Sequence, residues 1–457
     1  MLSLSLGIAV TAVVILLIVR NFQPQTVLLL AGLCMLALAV ALDPDQAVLY
    51  PKAKSTGWSG FDIVAFVTNS LSRQVAGVGL IIMVSAGFSE YMDCIGATRA
   101  MVRSCVSLLR WFKAPYVFLA VGYLLGQCLH VAVPSATGLA MLLLATLFPL
   151  LISAGVSKPA AAAMIALSGM MDLGPGVATA NLAAQIAGVE PAVYFVEHQV
   201  PVAISVMAIV SALVYCSARY FDRKAGHVAL KQEVEYEESI GNDTTPTLYA
   251  LIPLLPIVLV MVFSPLMVIS ISTDVVTAML LGSLNGLLWE IAVKRDIKGA
   301  FKGFQMFFNG VGSAFASIVS LLVCADIFTQ GLKALGTVGH MINLASHAEF
   351  GFHAMSLVMT MMVCATAIMT GSGVAGFFSF AGLVPEIATR FGVSAVTMVL
   401  PMQLVAGMGR SISPVASVII AVSKKGECSP FEVVRRTLIP AIGGVITMLV
   451  SNYLLNG

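Results

Sequence analysis

Apolar runs follow one another along the chain, parted by short polar punctuation. A helix needs about 20 apolar residues to cross a hydrocarbon core. The first half offers runs at 4–19, 25–42 and 75–92, followed by a helical stretch with spaced basic residues, Arg99, Arg103 and Arg110. Two apolar arms, 114–133 and 139–153, are joined by PSATG. The run 158–187 is interrupted by MDLGPG, and 199–218 closes the half. The stretch 221–246 is charged and aperiodic and reads as a solvated linker. The second half repeats the plan. Runs at 247–263, 273–293 and 311–330 precede a polar helix near 333–347. Arms at 354–369 and 374–389 are joined by TGSG, 395–423 is interrupted by GRSISP, and 437–455 ends the series.

The parallel between the halves survives direct alignment. Shifting 61–101 by 240 onto 301–341 pairs Phe61/Phe301, Asn69/Asn309, Ala76/Ala316, Phe88/Phe328, Gly96/Gly336 and Met101/Met341. Ser135 aligns with Ser372, and Gly155-Val156-Ser157 with Gly392-Val393-Ser394, at a shift of 237; Gly174-Pro175 falls beside Ser413-Pro414 at 239. These alignments predict two copies of one unit, at 1–220 and 247–457, joined by the linker 221–246. The expected fold is an all-α polytopic membrane protein. It has two inverted repeats, about ten transmembrane helices, two re-entrant hairpins (114–153 and 354–389) and two broken helices (158–187 and 395–423) interrupted at midplane.

Composition changes the picture only by excluding alternatives. The chain is 59% hydrophobic and 10% charged, and its mean hydropathy is +0.98, whereas a soluble domain carries about a quarter charged residues. The eight cysteines form no CxxC pair and read as small buried hydrophobes. The first run has no basic residue before it and reads as a span rather than a signal peptide. No Gly-Lys dipeptide and no HExxH occurs, so the signatures of a Walker A loop and of a zinc protease are missing. No nucleophile–base pair or metal cluster is visible, and His340, His347 and His353 are too widely spaced for a metal site. The sequence therefore predicts no enzyme, no metal, no cofactor and no nucleic-acid partner.

Charge distribution sets the orientation. If each hairpin dips in and returns to its own side, each half crosses the membrane five times and the second copy is inverted. With both termini outside, the inner face collects Arg20, Arg99, Arg103, Arg110, Lys113, Lys158, Arg219, Arg223, Lys224, Lys231, Lys294, Arg295, Lys298, Lys302, Lys424, Lys425, Arg435 and Arg436. That is 18 of the 24 Lys and Arg, as the positive-inside rule asks.

The four interruptions hold the candidate chemistry. Arg410 stands deep in an apolar stretch, where a bare charge is costly. A half-helix beginning inside the membrane offers free N–H groups and a positive dipole end, which suit an anion. Ser135, Thr137 and Ser372 supply hydroxyls at two such starts, and Gly138, Gly371 and Gly373 let backbone come close. The Arg410 guanidinium fits a carboxylate bidentately. Ser411 and Ser413 can either complete a second carboxylate contact or relieve freed backbone groups. Thr179 and Asn181 follow the first break, and Thr370 precedes the second hairpin tip. Asp172 and His130 are candidates for coupling to H+ or Na+. Asp172 is equally placed to pair with Arg410, and His130 to pack as a hydrogen-bonded side chain. Glu90 and Asp326 lie near span ends, where an interfacial role suffices.

The stretches VPSATGLAMLLLATLFP, MTGSG, MGRSISPVASVIIAV and SPFEVVRRTLIPAIGG resemble the anaerobic C4-dicarboxylate carriers of the DcuC type. These belong to an ion-transporter superfamily that includes the divalent anion–sodium symporters. The resemblance implies efflux, exchange or ion-coupled symport of succinate, fumarate or malate across a bacterial inner membrane. It also implies a homodimer and an elevator movement of the hairpins and broken helices. It carries substrate contact onto Ser135, Thr137, Thr370, Gly371, Ser372 and Arg410. A carrier of a monocarboxylate or a citrate-like acid, or an anion channel, stands as the alternative.

Overall fold

The computed structural model describes residues 2–20, 22–43, 48–50, 53–107, 109, 114–227, 245–267, 273–337, 339 and 351–456. Arg110, Lys113, His340, His347 and most of the predicted linker lie outside them. Helices form where Leu, Ala, Val, Ile and Met run on without interruption, and short polar side chains start many of them. In chain order they are α1 Leu2–Val19, α2 Pro24–Leu42, α3 Ser59–Cys94, α4 Ala97–Ser107, α5 Pro115–Ala132, α6 Ala136–Ser153, α7 Lys158–Leu167, α8 Ala178–Ala187 and α9 Pro191–Lys224. The second half gives α10 Thr247–Val262, α11 Val275–Lys294, α12 Ile297–Ala334, α13 Gly351–Thr370, α14 Gly373–Ala381, α15 Val384–Phe391, α16 Ala395–Arg410, α17 Ser417–Lys425 and α18 Pro430–Asn456. Among the described residues nine helices are long and apolar enough to cross a membrane, and the hairpin arms α5, α6 and α13 are three of them.

Two helices differ from their expected bounds. α3 and α12 begin well before the apolar runs at 75–92 and 311–330, because their first halves are amphipathic rather than apolar. Each continues through a π turn, Val75–Gly79 in α3 and Phe315–Val319 in α12. The return arm of the second hairpin is also two helices, α14 and α15, rather than one.

The π turns stand 240 residues apart, the offset of the sequence alignment. Other local devices recur likewise. Gly96 and Gly336 end α3 and α12 with φ of 79° and 71°, the left-handed conformation a glycine adopts without strain. Ser157 and Ser394 cap the first broken-helix segments α7 and α16, accepting from Ala160 N and Val396 N. Ser135 and Ser372 cap the return arms α6 and α14.

Small residues set the closest packing, as helices in lipid require. The second half of α3 lies along the first half of α12. A Cβ at Gly87 would sit 2.6 Å from Phe307 O, and one at Gly310 would sit 2.8 Å from Ala86 O. α2 lies on the second half of α12, where a Cβ at Gly32 would come within 2.7 Å of Phe328 N. A second set of helices gathers around α16, which is buried along almost its whole length. α18 packs on both α16 and α9, and Ser451 of α18 meets Ser205 of α9 at 2.7 Å.

The expectation of buried cysteines is corrected. Cys324 and Cys364 are buried, but Cys34, Cys94, Cys128 and Cys216 are exposed on the outside of the fold. In an apolar solvent a thiol on the outer surface costs little, so hydrophobicity did not imply burial.

Candidate anion site at the converging helix breaks

The two broken helices stop because their sequences cannot continue the backbone ladder. α7 ends at Leu167, and the chain then runs through Gly174 at φ 106° and Pro175 before α8 starts at Ala178. Asp172 itself has φ 50°, a conformation that few residues besides Gly, Asn and Asp adopt readily. α16 ends at Arg410, and Pro414 stands between it and α17.

These interruptions touch each other and the hairpin tips. A Cβ at Gly407 would lie 2.5 Å from Met170 O, so the two breaks are in direct contact. The first tip meets the first break where a Cβ at Gly169 would be 3.0 Å from Ala136 Cβ. It also reaches the second broken helix through Thr137 Oγ1, 3.0 Å from Ser417 Oγ. The second tip meets the second break where a Cβ at Gly371 would lie 2.8 Å from Ala416 Cα. Gly371 has φ 71° as well, so both space and conformation demand glycine there.

The sequence candidates divide by what they bind. Ser135 accepts from Gly138 N at 3.1 Å and Ser372 from Ala375 N at 3.2 Å, so both oxygens cap their own helices. Gly138 and Gly373 lie in the first turns of α6 and α14, and a Cβ at Gly373 would be 2.6 Å from Ala406 O. Thr370 donates to Thr366 O and accepts from Ser372 N, shaping the tip. Ser411 donates to Gly407 O, relieving backbone rather than facing outward. Ser413 Oγ is buried with no hydrogen-bond partner among the described residues. Neither α8 nor α17 has a side-chain cap, so the N–H groups of their first turns have no side-chain partner among the described residues.

Arg410 and Asp172 form the centre. Arg410 Nη2 donates to Asp172 Oδ1 at 2.9 Å and to Gly169 O at 2.7 Å. Asp172 Oδ1 also lies 3.3 Å from His130 Nε2. The Arg410 side chain is 13% exposed and that of Asp172 4%. Asp172 Oδ2 and His130 Nδ1 are buried without a partner among the described residues. The centre thus holds one cation, one anion, one titratable ring and unused acceptor capacity.

Sequence reasoning passed over the glutamines that hold this geometry. Gln403 Nε2 donates to Asp172 O at 3.0 Å and lies 3.4 Å from both Met171 O and Thr179 Oγ1. Gln199 Nε2 donates to Gln403 Oε1 at 2.8 Å, while Gln199 Oε1 accepts from Gly174 N at 3.1 Å. Asn181 Nδ2 serves Pro175 O and Val177 O. Gln127 Nε2 bonds Leu167 O, the end of α7. The only available signal was a single amide inside each of several apolar runs, where an unsatisfied polar group is expensive.

A second polar space lies beside the breaks. A cavity of about 430 Å³ is lined by Tyr50, Arg73, Gln185, Asp326, Gln330 and Lys333, among others. Asp326 is not merely interfacial: it accepts from Ser70 Oγ at 2.6 Å and from the Tyr50 hydroxyl. The difference arises because its partners, Tyr50 and Ser70, come from a part of the chain more than 250 residues away.

Residues 2–455 match the family described as C4-dicarboxylate anaerobic carrier, DcuC. The chain belongs to the DcuC family. A probable anaerobic C4-dicarboxylate transporter DcuC of Vibrio cholerae is 35% identical over 456 residues, covering 100% of this chain and 98% of that one. The anaerobic C4-dicarboxylate transporter DcuC of Escherichia coli K12 is 31% identical over 454 residues, covering 99% and 96%. Such named relatives are transporters, a class without enzymatic activity, in accord with the reading of the sequence. Two solved structures share the fold. MtrF of Neisseria gonorrhoeae has a TM-score of 0.60 at 12% identity, covering 94% of both chains. YdaH of Alcanivorax borkumensis has a TM-score of 0.55 at 14% identity, covering 95% of this chain and 97% of that one. The chain is thus a multi-pass membrane protein of a C4-dicarboxylate transporter family.

Proposed function

We propose that this protein is a secondary transporter of C4-dicarboxylates such as succinate, fumarate and malate in a bacterial inner membrane. It works by efflux, exchange or ion-coupled symport. The observation that carries the reading is that four chain interruptions touch one another around a partly buried arginine bonded to the first of them. One carboxylate of the substrate pairs with Arg410, and the uncapped N–H groups of α8 and α17 receive the other. Thr137, Ser372 and Ser413 line the space between. The C2 backbone of the substrate needs no polar partner.

The recurrence of π turns, caps and left-handed glycines supports two copies of one unit, and the Lys and Arg distribution supports their inversion with both termini outside. In that arrangement the first two spans of each half, α1, α2, α10 and α11, form a fixed scaffold, together with α3 and α12 packed on them. The hairpins, broken helices, α9 and α18 slide against it as an elevator. The protein works as a homodimer, joined through scaffold helices. The 430 Å³ cavity between α3, α12, α8 and α14 is the outer approach to the site. Transport is coupled to H+ or Na+ through Asp172 and His130, because a dianion beside a neutral Arg–Asp pair would otherwise leave uncompensated negative charge in a low-dielectric site.

The test is counterflow in proteoliposomes with fumarate, succinate, malate, aspartate, citrate and lactate, with and without sodium. Saturable uptake stimulated by C4-dicarboxylate on the opposite side is expected. Uptake without such trans-stimulation would mean a channel, and preference for citrate or lactate would reassign the substrate.

A further inference from the structure

One nitrogen of the guanidinium assigned to the substrate, the one shared by both of its bidentate edges, is already occupied. Arg410 Nη2 holds Asp172 Oδ1 at 2.9 Å, and the remaining bond of that nitrogen goes to Gly169 O. A dianion cannot enter this pocket bidentately while Asp172 keeps its hold. Asp172 is also a loosely held carboxylate: Oδ2 has no partner among the described residues, and no hydroxyl or backbone N–H is bonded to Oδ1. Its backbone, by contrast, is fixed, because Gln403 Nε2 binds Asp172 O and Gln199 binds Gly174 N. The side chain is thus free to release Arg410 without unravelling the break.

We propose that Asp172 is a resident mimic of the substrate: its carboxylate holds Arg410 in the empty site, and an arriving dicarboxylate displaces it. The inference rests on the transport reading above and adds a rule for coupling. The displaced carboxylate stays buried, and it must be neutralised there. The charged or titratable groups bonded to its carboxylate among the described residues are Arg410 from α16 and His130 from α5; Gln403, which binds its backbone carbonyl, is neutral. Once Arg410 turns to the substrate, a proton or a sodium ion takes its place on Asp172, with His130 beside it. One cation therefore enters with each dicarboxylate, and leaves when Asp172 recaptures Arg410. The empty carrier is electrically closed, and it can change sides without either ligand.

The experiment is titration calorimetry of the detergent-solubilised protein with succinate, in buffers of different ionisation enthalpy and at several sodium concentrations. Wild-type protein is expected to take up about one cation per succinate. If the cation is a proton, affinity rises about tenfold per unit fall in pH above the range where Asp172 is already neutral. If it is sodium, affinity rises with sodium at fixed pH instead. Asp172→Asn removes the competitor without changing size, so it is expected to bind succinate about tenfold more tightly and to take up no cation. Asp172→Ala checks that the gain does not come from a new Asn contact, and thermal melting confirms that both variants are folded. Wild-type binding without cation uptake, or weaker binding by both folded variants, overturns the mimic while leaving the transport reading intact. Absence of succinate binding by wild-type protein overturns both.

Discussion

Two arginine–aspartate pairs among the described residues are built from the same two side chains, and their surroundings differ. Arg410 and Asp172 meet at 2.9 Å where the helix breaks converge. Arg436 and Asp222 meet at 2.7 Å, between the start of α18 and the end of α9. Asp222 has further partners: it accepts from Ser157 Oγ at 2.6 Å and from the Tyr116 hydroxyl at 3.2 Å. Through it α5, α7, α9 and α18 are tied at one end. Among the described residues, Asp172 has an orphan oxygen and only a histidine besides its arginine. A buried carboxylate with both oxygens bonded is a lock, because every alternative arrangement loses hydrogen bonds. One with acceptor capacity to spare is a switch, because a competing anion or cation has something to offer it.

The largest effect expected from breaking this comparison is on function. Arg410→Ala removes the anion clamp and is expected to lower dicarboxylate counterflow by about a hundredfold or more, while the protein still expresses and melting falls less than in Arg436→Ala, because the stranded Asp172 can take up a cation. Wild-type transport by that variant would remove the clamp. Arg436→Ala has the opposite profile. It strands Asp222 without its charge partner, and removing one member of a buried pair costs about 3–5 kcal/mol. The expected result is a large fall in melting temperature and in yield of folded protein. Asp222→Asn, which keeps size and the hydroxyl partners, is expected to lose less. A variant that melts normally but transports poorly would show that this pair, too, moves in the cycle.

How much of this was legible in the sequence follows from the range of each interaction. The order of spans, hairpins and breaks was readable because it rests on local hydropathy and on Gly and Pro. Arg410 was readable because a lone charge in an apolar run demands a partner. The first halves of α3 and α12 were not, since SGFDIVAFVTNSLSRQ is a good amphipathic helix but a poor apolar run. The Gln199–Gln403 bond joins residues 204 apart, and the Arg436–Asp222 bond joins residues 214 apart. Neither partner carries a sign of the other in its own neighbourhood. Arg436 read as one more inner-face cation for the same reason. Which aspartate Arg410 faces is a property of the packed fold, although the alignment of the halves did place Asp172 near its counterpart.

A finer test loosens the lock by one bond. Ser157→Ala removes the hydroxyl that donates to Asp222 and also the cap that accepts from Ala160 N at 3.3 Å. A lost cap costs about 1 kcal/mol, and a lost bond to a carboxylate a similar amount or more, so a destabilisation of about 2 kcal/mol is expected. The measurement is thermal melting of Ser157→Ala beside Arg436→Ala and the double variant. If partner number makes the lock, the double variant falls short of the sum of the single losses, because both act on the same carboxylate. Simple additivity would mean that Ser157 serves only as a cap.

A third acid–base pair gives the other limit. Lys158 Nζ meets Glu427 Oε2 at 2.7 Å, joining the start of α7 to the turn before α18, with both side chains in contact with solvent. The hydrogen bond and charge of Lys158 hold the Glu427 carboxyl below its ordinary range. A carboxylate whose folded pKa is depressed adds stability above its unfolded pKa, near 4.3, and loses it as pH falls through the folded value. The contribution is thus fully present at neutral pH and fades only in acid. Solvent and salt screen it, and two long side chains must be held in one geometry to keep it. Glu427→Gln is therefore expected to leave counterflow unchanged and to shift melting slightly at low salt, with no shift at high salt. A large, salt-resistant loss would mean that geometry rather than partner number and burial separates locks from ornaments, and the contrast between Asp172 and Asp222 would need another cause.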